Sequence, residues 1–141
     1  MPLLPRKGLL AIAAVIDIAM HGKGRPVSAK ALAARHGLPA RHLEPVLQTL
    51  VREGILRGIR GPRGGYELAR ERRRITADEI LRAAGNIEGE GEANASDSTL
   101  LSQVVQPAIN QAERAFSSAL SRINIEDLTR RAEPFKDASS A

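Results

Sequence analysis

The first apolar run, Leu9 to Met20, is broken only by Asp17. Gly22, Gly24 and Pro26 follow it, so the pattern predicts a buried amphipathic helix over about 7–21, polar at Asp17 and His21. Ser28 can cap a second helix, Ala29 to His36, and Gly37 stands where a left-handed residue closes it. A third helix runs from near Pro39 to about Arg52. Leu43, Val46, Leu47, Leu50 and Val51 form its buried stripe, while Arg41, Pro45, Gln48 and Arg52, with Glu44 alongside, form the opposite face. Gly54 stops it. Two short helices joined by Gly-Leu-Pro make either a helix-turn-helix or a helical hairpin that packs only its own core.

The period then changes. Ile55 to Ile59 reads as a strand, 60–65 as a turn, and Tyr66 to Ala69 as a second strand. A hairpin directly after such a helix pair is a wing, and this decides for a winged helix-turn-helix. The turn, Arg60-Gly61-Pro62-Arg63-Gly64-Gly65, carries two arginines and three glycines that permit close backbone approach to a ligand. A nucleotide-binding phosphate loop is set aside, because no βαβ strand precedes the turn and no Gly-Lys-Ser/Thr closes it.

Thr76 to Glu79 reads as a capping box opening a helix from Ala77 to Ala84, ended by Gly85. Residues 86–98 are small, acidic and polar and predict a flexible loop. A long helix follows, about Thr99 to Arg122, bent at Pro107. Its apolar positions are Leu101, Val104, Val105, Ala108, Ile109, Ala112, Phe116, Ala119, Leu120 and Ile123. A winged helix already has a core, so this stripe is assigned to pairing with a second subunit. Asn124 caps a short helix to about Ala132. The expected fold is mainly α. A winged helix-turn-helix head with a two-stranded wing (1–85) leads through the acidic loop (86–98) to a dimerisation helix and short C-terminal helix (99–132), with a tail at 133–141.

Charge sharpens this picture. Residues 1–74 hold 15 Lys and Arg against 5 Asp and Glu, and residues 75–141 hold 6 against 11. The head is therefore strongly basic and suits a polyanion, while the acidic remainder suits another role, such as self-association. The Arg70, Arg72, Arg73 and Arg74 run reads as solvated surface that adds to the head's field. Aromatic content is 2%, so stacking on bases is not the expected binding mode. No cysteine is present, which removes a disulfide framework, a thiolate zinc site and a cysteine-held iron–sulfur cluster, and fits a reducing, cytoplasmic setting. Arg6 and Lys7 before the apolar run resemble a secretory signal superficially. Asp17 within the run, the lack of a small-residue cleavage site and its shortness argue against a signal or a membrane span. Three scattered histidines and no paired carboxylate motif give no catalytic constellation, so no enzyme is expected.

The stretch from Val27 to Ala69 resembles the Rrf2 family of bacterial winged-helix regulators. The words that carry it are Leu43-Glu44-Pro45-Val46-Leu47, Glu53-Gly54-Ile55-Leu56 and, most specifically, Arg60 through Ala69. The likeness extends more weakly to Lys7-Gly8, to Ile75 through Ala84 and to Ile123 through Leu128. It implies a homodimer with paired long helices whose heads bind a partly palindromic operator on double-stranded DNA, repression being the commoner behaviour. Cluster-binding members carry cysteines between wing and long helix. Here residues 86–106 hold neither Cys nor His, so the cluster does not carry over and the signal, a small molecule or a partner protein, stays open. A winged-helix module that docks proteins without touching DNA is the rival reading.

On the DNA reading, Arg41 and Gln48 are candidates for guanine and adenine in successive major grooves about 34–36 Å apart, and Glu44 for cytosine or for orienting Arg41. Contact of Arg41 and Arg52 with phosphate alone is the plainer alternative. His42 is expected at phosphate or solvent and not at a metal. Arg60 and Arg63, carried on the Gly61, Pro62, Gly64, Gly65 tip, suit the minor groove. Lys7, Ser28 and the backbone N–H groups opening helices two and three, Ala40 among them, are expected to clamp phosphates. Pro45 is expected to bend the recognition helix and so to alter its docking angle.

Overall fold

A computed structural model describes residues 6–85 and 99–135. The expected acidic loop at 86–98 and the tail from 136 onward lie outside the described residues. The elements are α1 (Arg6–His21), α2 (Ala29–His36), α3 (Ala40–Arg52), β1 (Leu56–Ile59), β2 (Gly65–Leu68), α4 (Ala77–Gly85), α5 (Gln106–Leu120) and α6 (Ile125–Ala132). Single 3-10 turns cover Arg72–Arg74 and Glu133–Phe135.

Helix α1 is the centre of the head. Its small residues Ala11 and Ala14 let neighbours approach closely, and Val15 and Ile18 fill the space between them. Helices α3, α4 and α6 and strand β2 all pack on it. Leu32 of α2, Leu43, Leu47 and Leu50 of α3, Ile55, Leu56, Ile75 and Ile80 complete one aliphatic core. Truncating one of these leucines to alanine is worth roughly 2–5 kcal/mol.

Local signals set the helix ends. Ser28 Oγ accepts from the Ala31 N–H at 3.0 Å. Gly37 adopts φ 64°. The Leu38 N–H reaches back to the Ala33 carbonyl at 3.0 Å and the Gly37 N–H to Ala34, a Schellman ending. Asn124 Oδ1 accepts from the Asp127 N–H at 2.9 Å. The capping box at Thr76 is half formed. Thr76 Oγ1 accepts from the Glu79 N–H at 3.2 Å, but the Glu79 carboxylate pairs with Arg70.

The hairpin differs from expectation by one residue at each strand. Leu56 pairs with Leu68, Arg57 with Glu67, Gly58 with Tyr66 and Ile59 with Gly65. Gly65 is thus the first residue of β2 and not part of the turn. Ile55 turns into the core just ahead of β1, while its carbonyl accepts from the Ala69 N–H at 3.0 Å. Tyr66 also exchanges two backbone bonds with Val27, at 2.8 and 2.9 Å, which ties the wing base to the chain entering α2.

The long helix is not a single α-helix. A π-helical turn, Leu101–Val105, precedes α5, and Pro107 stands at its second position. Pro107 has no N–H to donate four residues back, and the turn takes up that break in the ladder. No residue of α5 is buried. Helix α6 returns to the head: Ile125 is fully buried, its N–H donates to Ile75, and Ala77 donates to Ile123, each at 2.8 Å. The core therefore includes α6, which the sequence grouped with the dimerisation helix.

Candidate nucleic-acid interface

Helix α3 buries Leu43, Val46, Leu47 and Leu50, and this points the other side of the cylinder outward. Arg41, His42, Glu44, Pro45, Gln48 and Arg52 are all exposed. Two details depart from the expected stripe. Val51 is only half-buried, and Thr49 is buried, its Oγ1 accepting from the Arg52 guanidinium at 3.2 Å. Arg52 is thereby held down along its own helix. The helix continues through Pro45 to Arg52; Pro45 offers no N–H to the Arg41 carbonyl one turn back.

Helix α3 packs on α1 directly, and α2 is tied to α1 by an ion pair. The buried Asp17 carboxylate accepts from Arg35 Nε and Nη2 at 2.9 and 2.7 Å and lies 3.1 Å from His36 Nε2. The sequence marked Asp17 only as an interruption, yet it joins the first helix of the helix-turn-helix to the central helix.

At the wing, Arg60, Gly61, Pro62 and Arg63 are exposed. Arg60 and Arg63 form no ion pair among the described residues. Arg57 and Glu67 pair across the strands at 2.6 Å and stiffen the ribbon. Gly64 and Gly65 have a packing role. A Cβ on Gly64 would overlap the Ile59 carbonyl, and one on Gly65 the Val27 carbonyl. Ser28 and Ala40 are half-buried at their helix starts, and Lys7 is exposed at the start of α1. The arginine run is partly neutralised, with Arg70 on Glu79 and Arg72 on Glu126, leaving Arg73 and Arg74 exposed without an ion pair among the described residues.

Two hollows border α3. A cleft of about 570 Å³ lies between α3 and the wing, lined by Gln48, Arg52, Gly58, Arg60, Gly64 and Tyr66 among others. Residues of α3 and of the wing thus share one concave surface. Tyr66 was not singled out from sequence. Burial pushes its phenol above the ordinary range, Glu44's charge adds to this, and a hydrogen bond with Gln48 partly offsets it. A second hollow of about 690 Å³ lies where the start of α1 meets the start of α3, lined by Lys7, Leu9, Leu38, Arg41, His42 and Pro45 among others.

Helix α5 exposes Ala108, Ile109, Ala112 and Phe116, continuing Val104 and Val105 of the π-turn, whereas Leu120 and Ile123 are half-buried. Arg82 Nη2 donates to Ser117 Oγ at 2.7 Å, Ser117 donates to Asp78 Oδ1 at 2.7 Å, and Arg82 Nε donates to Asp78 at 2.8 Å. This triad latches α5 to α4.

The Rrf2 family model, described as an iron-dependent transcriptional regulator, matches residues 4–131. The Synechocystis protein slr0846, named as a candidate HTH-type transcriptional regulator, is 33% identical over 126 residues, 89% of this chain and 86% of its own length. The HTH-type transcriptional regulator IscR of Xenorhabdus nematophila is 35% identical over 80 residues, and there the match spans 57% of this chain and 49% of the relative. Among solved structures, T. potens IscR superposes with a TM-score of 0.70 at 30% identity, covering 92% of this chain and 87% of that one. CymR, the global cysteine regulator of B. subtilis, gives 0.67 at 27% identity, covering 91% and 96%. The donors here do not fit a cysteine-held iron–sulfur cluster. The sequence has no Cys, His36 is engaged by Asp17, and among the described residues no group of three or more His, Cys, Asp or Glu could hold a metal ion.

Proposed function

Because the chain belongs to the Rrf2 family of transcriptional regulators, we propose that it binds double-stranded DNA as a homodimer and represses transcription from a partly palindromic operator. The observation that carries this reading is the shared cleft, where Gln48 and Arg52 of α3 face the same space as Arg60 of the wing. A duplex laid there receives α3 in its major groove and the wing tip in the adjacent minor groove. Arg41 and Gln48 read bases, Glu44 orients Arg41, and Lys7, Ser28, His42 and the Ala40 N–H hold phosphates. The exposed face from Val104 to Phe116 pairs with its copy and sets the spacing of the two heads. The protein works in the cytoplasm and without a cysteine-held cluster, its donor set being unsuited to one. Among the described residues no helix is long and apolar enough to cross a membrane.

The test is an anisotropy titration on a site selected from random DNA. Affinity is expected to fall by roughly a thousandfold between 50 and 200 mM salt if about six phosphates are neutralised. Arg60→Ala is expected to bind the operator at least tenfold more weakly, with dimerisation unchanged. Salt-independent affinity, or full affinity in Arg60→Ala, would remove this surface from DNA binding. An absorption spectrum of anaerobically purified protein tests the cluster-free reading; visible charge-transfer bands from bound iron and sulfide would overturn it.

A further inference from the structure

Gly58 lies inside β1, where a glycine weakens the strand and packs nothing. The other glycines of the hairpin have a use within the chain. Gly61 adopts φ 109°, and a Cβ on Gly64 or Gly65 would overlap backbone. Gly58 has neither reason. Its φ is negative, and among the described residues nothing lies within 4 Å of where its Cβ would stand. Tyr66 is its partner across the ribbon, so the two residues share a face. An aromatic ring opposite a glycine often covers it, but the Tyr66 ring does not reach that point. Gly58 is exposed, and it lines the same cleft as Gln48 and Arg52 of α3 and Arg60 and Tyr66 of the hairpin. A bare backbone at such a place admits a close approach from outside the chain.

We propose that Gly58 is the seat of one sugar–phosphate strand of the operator, a role that rests on the DNA reading above. With α3 in a major groove and the wing tip in the adjacent minor groove, the part of the duplex between them is a single backbone strand. That strand crosses the cleft, and Gly58 is where its deoxyribose comes closest to the ribbon. Arg52 on the α3 wall and Arg60 on the wing wall meet phosphates to either side. A side chain at Gly58 lifts the strand away from both. The contact carries no base information, because every nucleotide presents the same sugar and phosphate there.

The test compares the full chain with its Gly58→Ala and Gly58→Val variants, by anisotropy on the selected operator and by thermal melting. Gly58→Ala is expected to bind at least tenfold more weakly, and Gly58→Val more weakly again. Both are expected to melt no earlier than wild type, since alanine narrows the unfolded ensemble and valine favours a strand. The base preferences that Gly58→Ala selects from random DNA are expected to match those of wild type, and its self-association to stay intact. Full affinity in both variants overturns the seat. Earlier melting shows that the chain itself uses the space, and overturns it as well. A changed base preference gives the space to a base edge, and lost self-association gives it to a second copy; either result overturns the proposal. Wild type that binds no duplex refutes the DNA reading, and the seat falls with it. Duplex binding that both variants leave whole refutes the seat alone.

Discussion

Asp17 of α1 and Arg35 of α2 form a two-pronged ion pair with N–O distances of 2.7 and 2.9 Å, and the Asp17 side chain is 6% exposed. The pair spans 18 residues of sequence and ties α2 to the central helix. Asp17→Asn removes the charge and strands Arg35 in a half-buried place. A loss of about 3 kcal/mol is expected, the low end for a broken buried pair because Arg35 keeps some solvent access. The urea midpoint measures it, and an unchanged midpoint would show the pair to be structurally idle.

Gly65 lets the wing base lie against Val27. A methyl group there meets a backbone carbonyl, which cannot swing away as a side-chain tip could. Gly65→Ala is expected to cost about 1 to 3 kcal/mol. It should also displace Tyr66 and the wing tip, reducing DNA affinity more than tenfold. Full DNA affinity in a melted-down but folded variant would separate wing position from binding.

Tyr66→Phe removes the hydroxyl that shares the cleft with Gln48 and leaves the β2 backbone untouched. Gln48 then gains rotamer freedom. Total affinity should change less than threefold, while preference at the base pair read by Gln48 relaxes. Selection from random DNA compares the two proteins, and identical base preferences would show that Gln48 is not held by Tyr66.

The α4–α5 latch gives a pH dependence. Burial raises the Asp78 carboxyl, but the hydrogen bonds from Ser117 and Arg82, together with Arg82's charge, outweigh it and hold the group below its ordinary range. A carboxylate favoured in the folded state lends stability fully above its unfolded pKa and loses it as pH falls through the lower folded value. The latch should therefore hold at neutral pH and open only in acid, below about pH 4. Wild type is expected to lose more thermal stability than Asp78→Asn between pH 5 and pH 3. Equal losses would remove the latch from the acid response.

Ile109 is 53% exposed in the middle of the α5 stripe. Ile109→Asp should abolish self-association at micromolar concentration and leave the melting of the head unchanged, since no residue of α5 belongs to its core. Sedimentation velocity checks this. A dimer that survives would place the contact elsewhere.

Much of the fold was legible because its signals are local. Ser28, Gly37 and Asn124 act on backbone groups within a turn of themselves, so their roles follow from residue type and spacing alone. The α3 stripe follows from the helical period, and naming its buried side also names its exposed one. The wing was legible from glycine and arginine at a turn between two apolar runs. The start of its second strand was missed by one residue, because Gly65 is as compatible with a strand against Val27 as with a turn. Tyr66 was legible as the start of the second strand, but nothing in the sequence placed it in a cleft with α3.

Residue types and their periods by themselves determined six helices, a hairpin, a basic head and an unspent apolar stripe. They did not determine which charges would be used up. Asp17 read as an interruption, Glu79 as half of a capping box and Arg72 as solvated surface, and each found a partner that only folding brought near: Arg35, Arg70 and Glu126. Tertiary structure also folded α6 back into the core and put Tyr66 in one cleft with α3. The reason is physical. A cap or a stripe depends on backbone geometry that repeats every few residues. An ion pair depends on the distance between two flexible chain segments, which is set only when the core closes between them.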